Sequence, residues 1–160
     1  MTFMSRLLIP RTGLRRRGAA LAALFCLALL VGTAEGTRPA AAAGGPVVAG
    51  LTITPHMVVT GGVVHVVGSA TNTSSAPVQA SLGVDIPAGL RATAVSGSAC
   101  TPRNIVHLVY CGIQRLAPQQ TATISFTVTP ATAGSYAFRS YARITYTSDD
   151  TFDTETLTVG

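Results

Sequence analysis

Between Cys100 and Thr129 the chain reads Cys100-Thr-Pro-Arg-Asn-Ile-Val-His-Leu-Val-Tyr-Cys111, then Gly-Ile-Gln-Arg-Leu-Ala-Pro-Gln-Gln, then Thr121-Ala-Thr-Ile-Ser-Phe-Thr-Val-Thr129. In the last run Ala122, Ile124, Phe126 and Val128 share one parity, and Thr or Ser fills every place between them. Successive side chains of a strand point to opposite sides, so this period of two marks a strand with one buried face and one wet face. The cysteines upstream bracket a short loop that a disulfide would staple. A stapled, threonine-rich, half-buried sheet is the unit from which the rest of the chain is read.

Upstream, Arg6, Arg11, Arg15, Arg16 and Arg17 form a basic lead-in, and Gly18 to Ala34 carries no charge. Its apolar centre, Ala19 to Val31, has the length of a signal-peptide core and falls short of the ~20 residues of a transmembrane helix. Small residues at Gly32-Thr33-Ala34, and again at Ala41-Ala42-Ala43, offer cleavage sites. Residues 1–34 therefore read as an export signal, a signal helix with cleavage as late as 43; an uncleaved N-terminal anchor is the alternative. The three arginines are followed by Gly-Ala-Ala rather than a bulky apolar pair, which makes a poor twin-arginine signal. Residues 35–46, rich in Ala, Gly and Pro, read as a disordered linker.

This division changes the meaning of the charge. The whole chain carries 11 basic residues, all arginine, and 6 acids, for a net charge of +5. Residues 1–43 hold six of the arginines against Glu35 alone, and residues 44–160 hold five arginines against five acids. The domain downstream is neutral, so it lacks the surplus of basic charge that a nucleic-acid reader uses to hold phosphates. The cysteines divide in the same way: Cys26 lies inside the apolar core of the signal, leaving Cys100 and Cys111 as an even pair. In an exported chain such a pair persists as a disulfide.

Downstream of the linker, Val47–Thr54, Val63–Thr71, Val78–Ile86, Leu90–Ser96, Ile105–Cys111, Thr121–Thr129, Ser135–Thr147 and Thr154–Val159 are strand candidates. Turn chemistry separates them at Gly61-Gly62, Asn72-Thr73-Ser74-Ser75, Pro87-Ala88-Gly89, Pro130 to Gly134 and Ser148-Asp149-Asp150. No helical period occurs past residue 45. Seven or eight short antiparallel strands at steady spacing predict an all-β fold over 47–160, an immunoglobulin-like β-sandwich.

Several of these residues, in order, carry a resemblance. Asn72-Thr73 after a valine-rich strand, Ile86-Pro87-Ala88-Gly89-Leu90, the spaced Cys100 and Cys111, Leu116-Ala117-Pro118, and Thr121 to Pro130 resemble the "domain of unknown function 11" family of Ig-like repeat domains on bacterial surface proteins. The resemblance covers most of residues 50–160. It implies an Ig-like sandwich, a Cys100–Cys111 disulfide, and a structural or adhesive surface role with no catalytic residues to transfer. Gln119 stands where the family usually has a glycine, and Asp85 sits one place from where the family's acid falls. Family members often come as tandem arrays, whereas one copy is present here.

Four carboxylates, Asp149, Asp150, Asp153 and Glu155, fall within seven residues and supply oxygen donors of the kind Ca²⁺ takes. They lack the Asp-x-Asp-x-Asp-Gly order of a dedicated calcium loop, and a solvated turn is the plainer reading. No other cofactor is expected. His56, His65 and His107 stand alone in their segments, as strand histidines on a wet face do. Arg139, Tyr141 and Arg143 make an outward row on one strand, of the residue types that dominate binding hot spots. Asn72-Thr73-Ser74 has the form of a glycan acceptor.

Together these features predict an exported, non-enzymatic module at the cell envelope, structural, adhesive or partner-binding, with a protein or glycan partner. Membrane contact is expected only through an uncleaved N-terminal segment. One alternative is a subunit of a larger envelope complex, since neutral Val- and Thr-rich surfaces associate readily. The other is a secreted hydrolase built on His65 or His107 and a loop serine.

Overall fold

The computed structural model describes residues 45–160; the expected export signal and nearly all of the expected linker lie outside the described residues. Ten strands follow: β1 (Val47–Thr54), β2 (Met57–Val58), β3 (Val64–Asn72), β4 (Val78–Asp85), β5 (Thr93–Ser98), β6 (Arg103–Ile105), β7 (Leu108–Leu116), β8 (Thr121–Val128), β9 (Gly134–Ile144) and β10 (Asp150–Val159). They form a four-stranded sheet in the order β1-β3-β8-β5 and a six-stranded sheet in the order β2-β10-β9-β4-β7-β6. Every pairing is antiparallel except the short parallel contact of β2 with β10.

The alternation read from the sequence builds the core. Ala122, Ile124, Phe126 and Val128 of β8 are all buried, as are Val47, Ala49, Leu51 and Ile53 of β1. Leu82 and Val84 of β4, Val109 and Ile113 of β7, and Phe138 and Leu157 of β9 and β10 are also buried. Gly68 permits close approach of the layers: a Cβ there would lie 2.4 Å from Val84 Cγ2.

Two seams join the sheets at their edges. At one, the side chains of β10 cap the free backbone N–H groups of β1. Ala49 N–H donates to Thr151 Oγ1 at 2.8 Å, Leu51 N–H to Asp153 Oδ2 at 2.8 Å, and Ile53 N–H to Glu155 Oε2 at 3.0 Å. Thr151 Oγ1 in turn donates to Val47 O at 3.0 Å. A period of two on both strands keeps this ladder in step. At the other seam the chain leaves edge strand β5 for the opposite sheet and is fixed there by the Cys100–Cys111 disulfide, with Cα atoms 6.0 Å apart. Closing so short a loop stabilises by ~3 kcal/mol on the chain-entropy model.

Ten strands stand where seven or eight were expected, the short edge strands β2 and β6 making up the difference, and β10 begins at Asp150, inside the expected Ser148–Asp150 turn. Three further details differ. Ile105–Cys111, expected as one strand, folds back on itself: β6 and β7 pair through a turn at Val106-His107, where His107 takes φ 66°. No Gly, Pro or Asn marks that turn. Leu90 and Ala92, expected in a strand, are buried ahead of β5, which joins the sheet only at Thr93. Tyr146, inside the expected strand Ser135–Thr147, lies past the end of β9 and is 95% exposed.

Two predictions follow from this architecture. Asp153→Ala leaves Leu51 N–H without its charged acceptor and should cost about 2 kcal/mol, read as a lower denaturant midpoint with unchanged slope, while Asp153→Asn, which keeps an acceptor, should cost less. Gln119 sits at φ 60°, a conformation that carries a Cβ penalty of about 1–2 kcal/mol. Gln119→Gly removes the penalty, is partly offset by glycine's greater unfolded entropy of roughly 0.5–1 kcal/mol and by loss of the long, exposed Gln119 Nε2–Thr73 O hydrogen bond at 3.3 Å, and should raise Tm slightly; a fall would contradict it.

Candidate functional site

The outer face of the six-stranded sheet carries the residues that the sequence singles out. Along β9, Arg139, Tyr141 and Arg143 point outward while Phe138, Ser140 and Ala142 point into the core. Register then supplies their neighbours. Tyr141 stands opposite Phe152 of β10 on one side and Gly83 of β4 on the other, Gly83 opposite Tyr110 of β7, and Tyr110 opposite Arg103 of β6. A single rank thus crosses five strands as Phe152, Tyr141, Gly83, Tyr110 and Arg103.

Glycine in the middle of that rank is structural. A Cβ on Gly83 would lie 2.2 Å from Tyr141 Cζ, so the phenol rests directly over the backbone of β4. Half-buried there, its hydroxyl is pushed above the usual tyrosine range, first by burial and next by the Asp85 carboxylate.

Both arginines of the row are paired. Arg139 donates through Nε and Nη2 to Asp85 Oδ2 at 3.1 and 3.0 Å, and its guanidinium lies over the Phe152 ring, 5.0 Å from the centroid. Arg143 forms a forked pair with Asp150. The Arg143 hydrogen bonds hold the Asp150 carboxyl below its usual range. Between the two ion pairs lies a hollow of about 490 Å³ floored by Tyr141 and Tyr110 and bordered by Tyr146 and Phe152. Its ionisable groups balance almost completely, and its aromatic rings supply apolar area, as in a binding surface for an uncharged or mixed polar partner.

The acidic cluster does not converge. Alternation along β10 sends Asp150 outward to Arg143, and Asp153 and Glu155 inward to β1, where backbone N–H groups occupy their oxygens. Asp149 stays in the turn before the strand, exposed. Among the described residues no group of three or more His, Cys, Asp or Glu side chains is placed to hold a metal ion. His56 lies 3.7 Å from Glu155, His65 is on the exposed face of β3, and His107 is in the β6–β7 turn.

Asn72 is fully buried rather than an open glycan acceptor. Its Nδ2 donates to Ala76 O and Leu116 O, and its Oδ1 accepts from Ser74 N–H and Ser74 Oγ. The Asn-Thr-Ser triplet is thus a side-chain-stabilised turn that ties the β3–β4 connection to the end of β7.

No family model matches the chain, and no curated relative does. Among solved structures, the chain is similar to the N-terminal domain of the Streptococcus gordonii adhesin Sgo0707, with a TM-score of 0.57 at 8% identity over 70% of this chain and 32% of that one. The major pilin subunit of Bacillus cereus gives 0.56 at 5% identity over 72% and 40%. A cohesin module of a family 33 glycoside hydrolase from Clostridium perfringens gives 0.52 at 9% identity over 71% and 97%. The chain spans about a third of the adhesin chain and two fifths of the pilin chain. At these identities the likeness is one of fold, a two-sheet β-sandwich shared with domains of bacterial surface proteins.

The half-buried phenol has a measurable consequence. Because folding raises the Tyr141 hydroxyl above its ordinary value of about 10, its contribution to stability is complete below that value. It is lost as pH rises through the higher folded value. An ultraviolet tyrosinate titration should show a late step that disappears in Tyr141→Phe and moves to lower pH in Asp85→Asn.

Proposed function

We propose that the chain is an exported Ig-like module that binds a partner at the bacterial cell envelope through the hollow around Tyr141, and that it works by binding rather than turnover. One observation carries this reading: the rank Phe152–Tyr141–Gly83–Tyr110, set in register across four strands and framed by the Arg139–Asp85 and Arg143–Asp150 pairs. Aromatic and arginine side chains dominate binding hot spots, and here neighbouring carboxylates hold the arginines so that little side-chain entropy remains to be lost on contact. The ordered motifs that resemble the "domain of unknown function 11" family support the Ig-like assignment. So does the fold shared with adhesin, pilin and cohesin domains. The basic lead-in, the apolar core after it and the Cys100–Cys111 disulfide support export.

The partner is a protein or glycan of the envelope, and membership of a larger envelope complex is the same reading with a permanent partner. The test is binding of the purified chain to isolated cell envelopes. Removing a hot-spot side chain costs about 2 kcal/mol, roughly thirtyfold in affinity. Tyr141→Ala and Arg143→Ala should each approach that loss, while His65→Ala on the opposite sheet should leave binding intact. Equal binding by all three variants would sink the proposal.

A further inference from the structure

The strand directions gather a second feature, remote from the hollow, at one end of the sandwich. β1, β4, β8 and β10 run toward this end, and β3, β5, β7 and β9 start from it. Four connections therefore meet there: residues 55–63, 86–92, 105–107 and 129–134. Backbone hydrogen bonds tie them in pairs, Gly61 N–H to Pro130 O and Ile86 N–H to His107 O. Among the described residues eight large apolar side chains are exposed, and five of them stand at this end: Met57, Val59, Val63, Ile105 and Val106. The least exposed of the five, Ile105, still shows 52% of its surface, and Val106 shows 83%.

They occupy two corners. Met57 belongs to β2 and Ile105 to β6, the opposite edge strands of the six-stranded sheet. Five strand spacings of about 4.8 Å put these corners roughly 24 Å apart. The stretch between carries Pro87, Ala88, Ala131 and Ala133. None of the four connections contains an Asp or Glu, and Arg91, His56 and His107 are their only basic side chains. The nearest acids are engaged on the strands, Asp85 with Arg139 and Glu155 with Ile53 N–H. Gly160, the last residue, is tied down there by Thr60 N–H. The opposite end, where β1 begins at Val47, presents Thr73, Ser75, Gln119, Ser148 and Asp149 instead.

We propose that this end is a lipid-contact surface that seats on an anionic bilayer. Met57, Val59, Val63, Ile105 and Val106 enter the headgroup–acyl boundary at two points while Arg91 meets lipid phosphates. A broad partner groove would bury its apolar residues side by side. Two separated apolar corners whose connections carry no Asp or Glu, with the cation Arg91 beside Ile105 and Val106, instead complement a flat, apolar surface bearing anionic headgroups.

The chain contains no tryptophan, so single reporters localise contact to one end of the sandwich. Val106→Trp and Met57→Trp should each shift their emission to the blue with vesicles of phosphatidylglycerol and phosphatidylcholine, and brominated acyl chains should quench both. Tyr146→Trp, at the opposite end, should do neither. Adding Arg91→Gln to the Val106→Trp chain should weaken the vesicle response about fivefold. No shift at either apolar corner overturns the proposal. An equal shift at all three reporters overturns it as well, because adsorption would then have no preferred end. A shift that grows with protein concentration in the absence of vesicles overturns it in favour of a second copy of the chain. An equal response to phosphatidylcholine alone overturns it too, because the proposed surface is an anionic one.

Discussion

Asp153, Glu155 and Thr151 accept the outward N–H groups of β1, and much of the molecule depends on that ladder. An edge strand presents a row of unpaired donors and acceptors that invites pairing with another chain. Here the row is covered by side chains of the facing sheet, at 2.8, 2.8 and 3.0 Å, two residues apart on each strand. Backbone pairing of β1 with β10 would have rolled the two sheets into a barrel. Side-chain capping keeps them as separate layers with an apolar core between, and lets carboxylates serve the seam without becoming isolated buried charges.

The ladder also decides what the other face of β10 can do. Because side chains alternate, sending 151, 153 and 155 inward sends Asp150 and Phe152 outward, onto the face where Arg143 and Tyr141 project from β9. The hollow is thus the reverse side of the seam. The disulfide holds the other margin: Cys111 faces the core of β7, its neighbour Tyr110 faces out, and fixing β7 through Cys111 fixes the second phenol of the rank. The polar rim and aromatic floor inherit their rigidity from two seams that never touch the hollow.

Periodicity made most strands legible before any coordinate was known. Ala122, Ile124, Phe126 and Val128, or Val47, Ala49, Leu51 and Ile53, declare their buried faces in the sequence, because alternation is local information. Register is not local. Nothing near Arg139 in the sequence names Asp85 as its partner, and Gly83 has no visible reason to be glycine until Tyr141 is known to lie across it. The acidic run has the same limit: Asp150, Asp153 and Glu155 are close along β10, whereas the pleat divides them between two faces. Asn72-Thr73-Ser74 shows the limit of a short motif, since the same three residues serve as a buried turn. The β6–β7 turn has no local signal, because Val106 and His107 are poor turn residues; their exposure becomes intelligible only beside Met57, Val59 and Val63 at the same end.

The two surfaces have a fixed geometric relation, since one is a sheet face and the other an end of the same strands. A sandwich seated by its apolar end stands with its strands roughly along the bilayer normal, so the outer face of the six-stranded sheet is turned sideways. On β9 the hollow's residues, Tyr141 and Arg143, lie beyond the midpoint of a strand that begins at the apolar end, and Tyr146 at its rim lies beyond the end of that strand. At about 3.3 Å per residue, the seven steps from Gly134 to Tyr141 lift that phenol roughly 23 Å from the strand's start. That height clears the headgroup layer, so the proposed contact at the end and the proposed binding at the face do not compete for space. The two surfaces also differ in chemistry: the connections at the end are apolar and carry no Asp or Glu, as the proposed lipid contact requires, and the face is charge-paired and aromatic, as the proposed partner site requires.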